Sequence, residues 1–155
     1  MNLIEVLSNY QGEIQENGVL MEYDLFFDNI RENCCRFSID DNEELEELKH
    51  VISKMKERDE KAEIYVCTYG IDLTEEKIFI YGDMLWIDTI IDLKELNTFF
   101  ENCRKIEPSS IMLLSEDETL DGIVSLVFLS DGTVQNYESF IQKRELDQIK
   151  SLYWD

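Results

Sequence analysis

Residues 62–103, AEIYVCTYGIDLTEEKIFIYGDMLWIDTIIDLKELNTFFENC, decide the fold, because they hold the densest apolar sequence of the chain. β-Branched and aromatic residues alternate along residues 62–70, which predicts a strand. Residues 77–81 and 84–88 are predicted to form an antiparallel hairpin, with Gly82 and Asp83 as its turn. Few residues of these strands are polar on either face, so we expect both faces of the sheet to be covered.

A helix is predicted directly after these strands. Asp92 is a suitable N-cap, and Glu95 stands three residues later, at capping-box spacing. Apolar residues then recur at intervals of three and four, at Leu93, Leu96, Phe100 and Cys103. This spacing places them on one helical face, which we expect to lie on the sheet.

The sequence before this stretch predicts two helices and a strand pair. Asn2 caps a first helix that Gly12 ends. Alternation predicts a strand over residues 19–27, and residues 34–39 are predicted as its partner. A second helix is predicted over residues 40–59, because its apolar residues share one face. Acids are concentrated in its first turns and bases in its last turn, as the helix dipole favours.

The sequence after this stretch predicts a second set of strands and a last helix. Strands are predicted at residues 111–114 and 123–129, after Pro108 ends the preceding helical region. The Ser130–Gly132 turn leads into a strand over residues 133–137 and is the clearest hairpin signal. Ser139 and Gln142 match a capping box, which begins a last helix. Its apolar residues would be Ile141, Leu146, Ile149 and Leu152.

These elements predict one α+β domain over residues 1–155, with about four helices and one antiparallel or mixed sheet built from β-hairpins. The order is a helix followed three times by a strand pair and a helix, over residues 18–58, 62–104 and 110–153. Degenerate ββα units of about 43 residues would give this order, although only the spacing recurs and no residue motif does.

Composition indicates a protein of the cytoplasm. No apolar run approaches ~18 residues, and the N-terminus lacks the basic start of a signal peptide, so neither a membrane span nor secretion is expected. The four cysteines contain no CxxC spacing, and we expect reduced, mostly buried thiols. Two disulfides remain an alternative.

The charge is the unusual property of this sequence. Asp and Glu number 35 against 14 Lys and Arg, a formal net charge of −21. Such a charge repels nucleic acid and anionic membranes, so neither is an expected partner. It attracts a basic protein surface and speeds association with it. The alternative is that the acidity serves only solubility.

Two acidic clusters are the candidate partner-binding residues. The first lies at the start of the second predicted helix and comprises Asp40, Asp41, Glu43, Glu44, Glu46 and Glu47. The second lies in a predicted turn and comprises Glu116, Asp117, Glu118 and Asp121. Both can bind Lys and Arg of a partner. The alternative for the first cluster is a solvated helix face whose acids suit the helix N-terminus.

We predict no catalytic residue, metal or cofactor from the sequence. It lacks the P-loop, GxGxxG, GxSxG and HExxH motifs, and its single histidine, His50, is expected on a helix surface. Residues 117–128 imitate the start of an EF-hand loop, but Phe128 stands where a bidentate Glu is required. Cys34 and Cys35 could be a redox pair, although burial in a strand is the favoured interpretation. An enzyme would need a concave pocket with at least two convergent acids.

Five aromatic residues of the central stretch have the chemistry to stack on nucleic-acid bases: Tyr65, Tyr69, Phe79, Tyr81 and Trp86. They are not interleaved with the Lys and Arg that form the cationic groove of single-strand binders. We therefore expect them in the core or at a protein interface.

Size, acidity and the α+β pattern of the whole chain together resemble the immunity proteins of bacterial toxin systems. The resemblance implies an inhibitor of a cognate toxin, often a basic nuclease, that covers the active site or an adjacent surface. It rests on no motif and therefore assigns no role to an individual residue. The alternatives are a nucleic-acid mimic that occupies several DNA-binding proteins, an enzyme with unrecognised carboxylate chemistry, and an acidic domain with no electrostatic role.

Overall fold

The computed structural model describes residues 2–30, 34–71, 77–117 and 124–155. In these ranges the elements, in chain order, are α1 (Leu3–Ser8), α2 (Gln11–Glu16), β1 (Gly18–Glu22), α3 (Tyr23–Phe27), β2 (Cys35–Phe37), α4 (Asn42–Arg58), β3 (Glu63–Ile71), β4 (Phe79–Asp88), α5 (Leu93–Thr98), β5 (Ser110–Leu113), β6 (Val124–Phe128), β7 (Val134–Asn136), α6 (Tyr137–Gln142) and β8 (Ile149–Tyr153).

All eight strands join one mixed sheet, which confirms the predicted α+β class. Its order is β5-β8-β4-β3-β1-β6-β7. β2 pairs with β4 at residues 80–82, and β8 pairs with β4 at residues 84–88. β2 and β8 therefore meet end to end along one edge of β4. The pairs β1–β6 and β2–β4 are parallel, whereas the others are antiparallel.

The predicted hairpin turn at Gly82 and Asp83 is wrong, because both residues lie inside the single strand β4. Gly82 is opposite Thr68 of β3, next to a register shift in the ladder. A Cβ atom on Gly82 would lie 2.6 Å from Val66 Cγ1 and 3.3 Å from Phe26 Cζ. The glycine is therefore needed for the close approach of α3 to the sheet, not for a turn.

Replacing Gly82 with alanine is expected to destabilise the fold by about 1–3 kcal/mol, because the added methyl group overpacks a buried contact with a stiff valine. Urea unfolding measures the change. Gly12→Ala is the matched control, since it adds the same methyl group inside α2 with no heavy atom within 4 Å. It is expected to be neutral or to stabilise by up to about 1 kcal/mol. Equal midpoints for the two variants would contradict the packing account of Gly82.

Two hydrophobic cores lie on opposite faces of the sheet, as the alternation of β3 and β4 requires. Val66 and Leu85 face the larger core, to which α1 to α5 contribute. Their neighbours Tyr65 and Trp86 face the smaller core, with Phe140 of α6 and Leu114. The expectation that both faces carry buried apolar residues is thus confirmed.

Several predicted elements are confirmed with their caps. Ile4 donates its backbone N–H to the Asn2 side chain at 3.0 Å, and Glu95 donates its backbone N–H to the Asp92 side chain at 2.8 Å. The helix after Asp92 is shorter than predicted, because α5 ends at Thr98, before Phe100 and Cys103. The predicted second helix is α4, with Asp41 as its N-cap. The predicted turn between β6 and β7 is present, and Gly132 takes the positive φ of 90° that the turn requires.

The predictions for the first 39 residues need three corrections. Gly12 lies within α2 and does not end a helix, so two short helices replace one. The strand predicted over residues 19–27 ends at Glu22, because residues 23–27 are α3, which buries Phe26 in the larger core. β2 pairs with β4, not with β1.

The last predicted helix is also wrong in its second half. α6 ends at Gln142 and is capped by Asn136, not by Ser139. Ile149 and Leu152 belong to β8, which lies between β4 and β5. Their spacing of three suits one helix face, but in the strand they point into opposite cores. Consecutive strands β1–β2 and β5–β6 are not partners, so the pairing does not follow three hairpin–helix units.

Candidate functional site

The first acidic cluster covers the start of α4. The Asp41 carboxylate accepts the Glu44 N–H at 3.1 Å, which begins the helix. Leu45 and Leu48 are buried in the larger core, so Glu43, Glu46 and Glu47 are exposed on the outer side. Glu46 lies 3.5 Å from Lys49, an exposed pair of small energetic value. Within the described ranges, no Lys or Arg lies within 4 Å of the carboxylates of Asp40, Glu43 or Glu47.

Two acids, Asp24 in α3 and Asp28 directly after it, extend this cluster. Tyr23 is buried, and its hydroxyl has no hydrogen-bond partner among the described residues. Desolvation raises the pKa of Tyr23, and the carboxylates of Asp24, Glu46 and Asp28 raise it further. Asp24 and Asp28 therefore lie near Glu46, and both are exposed. The sequence showed that residues 1–30 lack Lys and Arg, but not that these acids adjoin α4.

The second acidic cluster lies on the opposite face of the sheet. Glu116 is exposed and Asp117 is half-buried, at the end of a 3-10 turn (Leu114–Glu116) whose Leu114 belongs to the smaller core. Glu118 and Asp121 lie outside the described residues. Since α4 packs on the larger core, the structure does not bring the described members of the two clusters onto one face.

The first cluster nevertheless begins beside the junction of β2 and β8. Ser38, the residue after β2, donates its N–H to Gly82 O at 2.9 Å and its hydroxyl to Trp154 O at 3.3 Å. Asp40 follows two residues later and so lies within about 8 Å of Ser38. Asp83 and Asp155 adjoin the same junction, because Trp154 donates its N–H to Asp83 O at 2.8 Å. Neither acid was a predicted site residue.

A polar cleft of about 550 Å³ lies at the other end of β3 and β4, against residues 143–148. Four acids line it: Asp59, Glu63, Asp88 and Glu145. Asp59 accepts hydrogen bonds from Thr89 Oγ1 at 2.6 Å and from the backbone N–H of Ile90 at 3.1 Å. The hydrogen bond from Thr89 holds the pKa of Asp59 below its usual value. This carboxylate therefore ties the end of α4 to the end of β4.

Arg144 lines this cleft, and Lys150 lies beside it. The Arg144 guanidinium is paired with Glu63 and lies 3.7 Å from Asp88, while its face stacks on Phe140 at 3.9 Å. Lys150 is buried and donates to Thr89 O at 2.7 Å. Desolvation lowers the pKa of Lys150, and the nearby carboxylates oppose part of that shift. Asp59, Glu63 and Asp88 are thus engaged within the fold, which leaves Glu145 as the acid here without such a role.

The remaining candidate groups are dispersed. His50 is exposed on α4 and is not one of the residues that line the cleft. All four cysteines are free thiols, and Cys34 and Cys35 are buried with their Sγ atoms 4.0 Å apart. No group of three His, Cys, Asp or Glu in the described part of the chain is arranged to hold a metal ion. Half of the EF-hand-like segment, residues 118–123, lies outside the described residues, and its last five residues are strand β6.

Comparison with known proteins identifies no relative: no protein-family model, no curated protein and no solved structure matches this chain. Among the described residues, no helix has both the length and the apolar composition to cross a membrane. Fold and surface together define a small, strongly acidic α+β domain. Its function has to be inferred from its own surface.

Proposed function

We propose that this protein binds and neutralises a basic protein partner, such as a cognate bacterial nuclease toxin, in the cytoplasm. The observation that carries this proposal is that acidic side chains are exposed and have no cation from the described part of the protein beside them. The net charge is −21, and Asp40, Glu43 and Glu47 are exposed with no Lys or Arg within 4 Å among the described residues. Unpaired acids of this kind are available to an external cation.

The energetics favour a partner over a purely solubilising role. A charge of this size opposes compaction through self-repulsion, and a basic partner relieves that repulsion when it binds. α4 and β4 fix the backbone that carries these carboxylates, so binding has to order side chains but no backbone segment. They can pair with the Lys and Arg that hold phosphates in a nuclease, which blocks access of nucleic acid to those cations.

Affinity capture with the full-length protein tests this function. We expect one basic protein to be retained, with a dissociation constant in the nanomolar range or tighter, about −12 kcal/mol or beyond. If that protein is a nuclease, an equimolar amount of this protein should abolish its activity. Lysozyme, a basic protein of unrelated surface, serves as the control and should bind much more weakly.

Other results of the same capture would overturn the proposal. Retention of several unrelated DNA-binding proteins with similar affinity would instead support a nucleic-acid mimic. A captured protein that keeps full activity with an excess of this protein would show that binding does not neutralise it. Absence of any basic partner would leave the acidity with a role in solubility alone.

A further inference from the structure

Three tyrosines lie together on the sheet face of the smaller core. Tyr69 of β3 is directly opposite Tyr81 of β4, with ring centroids 5.3 Å apart and ring planes inclined at 57°. Tyr153 of β8 pairs with Met84 on the next strand along. Tyr81 and Tyr153 both contribute to the raised pKa of Tyr69, so the three side chains are close together. We call these three residues the tyrosine platform.

The tyrosine platform lies at the end of this face that α6 does not cover. Near Trp86 the face is closed by α6, through the contact between Trp86 and Tyr137 at 5.8 Å. At the platform, Tyr69 keeps 44% of its surface exposed and the neighbouring Ile71 keeps 38%. Exposed tyrosines beside aliphatic side chains are typical of the energetically important centre of a protein interface.

Two carboxylates, Asp83 and Asp155, adjoin the tyrosine platform. Desolvation raises the pKa of Asp83, and the Asp155 carboxylate raises it further. Asp155 also raises the pKa of Tyr153, whose hydroxyl lies 3.5 Å from its carboxylate. In the ranges that the structure describes, no Lys or Arg lies within 4 Å of either acid. A half-buried carboxylate in this state favours the arrival of a cation.

A member of the second acidic cluster lies on the same face. Desolvation, together with the carboxylates of Asp83 and Asp117, raises the pKa of Cys67 to about 12. Cys67 stands two residues before Tyr69 on β3, so its side chain shares the face of the platform. The platform is therefore bordered by Asp83, Asp117 and Asp155.

We propose that the tyrosine platform is the docking site for an arginine side chain of the basic partner, a refinement that rests on the proposed function. A guanidinium stacks on aromatic faces and also donates paired hydrogen bonds to a carboxylate, which an ammonium cannot do in the same way. Tyr69 and Tyr81 supply the aromatic faces, and Asp83 with Asp155 supplies the charge.

Two arginines of this protein already stack on aromatic rings. The Arg36 guanidinium lies 5.1 Å from the ring centroid of Phe79, on the strand that carries Tyr81. Arg144 combines a stacked ring, Phe140, with the carboxylate of Glu63. Arg36 is opposite Tyr81 in the pairing of β2 with β4, so it lies at one edge of the platform. Asp83 and Asp155, in contrast, have no Lys or Arg within 4 Å in the described part of the chain.

Amide chemical shifts of the full-length protein, recorded during titration with acetyl-octaarginine amide, test the docking site. The largest shifts are expected at residues 67–71, 81–84 and 153–155. The double variant Tyr69→Leu/Tyr81→Leu keeps apolar side chains and removes the rings, and it should weaken binding about tenfold. Tyr69→Phe/Tyr81→Phe keeps the rings and should bind within about twofold of the original protein. Thermal melts verify that both variants fold.

Three results would overturn the docking site. Shifts confined to α4 would place the bound arginines on the first acidic cluster and leave an acidic binding protein with a different interface. Unchanged affinity in the leucine variant would show that the rings do not contribute. Absence of binding by octaarginine would remove the platform as an arginine site, whereas the proposed function would still be decided by affinity capture of its protein partner.

Discussion

Replacing Arg144 with alanine is expected to lower the free energy of unfolding by about 2–4 kcal/mol. The guanidinium joins Glu63 of β3 to Asp88 of β4, donates to Tyr65 Oη at 3.1 Å and covers Phe140. Its removal leaves the partly buried Asp88 without its cation and uncovers the Phe140 ring. Urea unfolding measures the loss.

A spectroscopic readout separates this network from general damage to the core. Burial raises the pKa of Tyr65 to about 12, and Arg144 opposes part of that rise. Because the neutral phenol is favoured in the fold, its contribution to stability is complete below about pH 10 and is lost as the pH rises toward 12. Loss of Arg144 should therefore move the ultraviolet titration of Tyr65 to still higher pH.

Two control substitutions make the Arg144 result interpretable. Lys143→Ala removes an exposed cation from the same cleft and should change stability by no more than about 0.5 kcal/mol. Arg144→Lys keeps the charge but loses the planar fork, so its stability should fall between those of the original protein and the alanine variant. If Arg144→Ala behaved like Lys143→Ala, the network would not stabilise the fold.

Neutralising the acids beside the tyrosine platform should lower the association rate with the basic partner by about tenfold. The variant is Asp83→Asn/Asp155→Asn, which removes two charges next to the proposed docking site. Glu43→Gln/Glu47→Gln removes two of the unpaired charges on α4 and is the matched comparison. Its expected loss is smaller, about threefold, because these acids attract the partner from a distance whereas Asp83 and Asp155 adjoin the docked arginine. Stopped-flow fluorescence measures both rates.

The ranking of these two variants is the informative result. If the α4 variant lost more association rate than the platform variant, the partner would dock on α4, and the helix would be more than a solvated face. Equal losses would indicate that only the net charge matters. The salt dependence of the association rate, measured on each variant, distinguishes a lost local contact from a weaker overall field. Only a weaker field makes the association rate less sensitive to salt concentration.

The elements that the sequence predicted well are those with strong local signals. α4 combines an N-cap, an apolar face and charges that match its dipole. The turn at Gly132 has the positive φ that its sequence predicts. In both cases the residues that determine the structure are within a few positions of one another, so no knowledge of distant contacts is needed.

The elements that were mispredicted depend on contacts between distant residues. Gly82 resembles a turn residue, but its absent side chain is explained by Val66 and Phe26, which approach from β3 and α3. Ile149 and Leu152 have helical spacing, but β4 and β5 on either side make their segment a strand. Phe26 broke the alternation of a predicted strand because it belongs to a short helix.

The candidate sites, too, were predicted from the sequence only as far as they depend on neighbouring residues. The sequence identified the first acidic cluster, and it identified Tyr69 and Tyr81 as residues of the core or of a protein interface. It could not show that Tyr69 is exposed while Tyr65, on the same strand, is buried, because α6 covers only one end of that face. Asp83 was assigned to a turn, and Asp155 was not considered, since their proximity depends on the pairing of β4 with β8.

The association rate with the captured basic partner, measured by stopped flow across a range of salt, tests the central claim most directly. Between about 20 mM and about 500 mM NaCl we expect the association rate to fall at least tenfold while the dissociation rate changes little, because screening removes long-range steering and leaves short-range contacts. An association rate that stays constant over that range would contradict the claim that the negative surface of this protein recruits its partner.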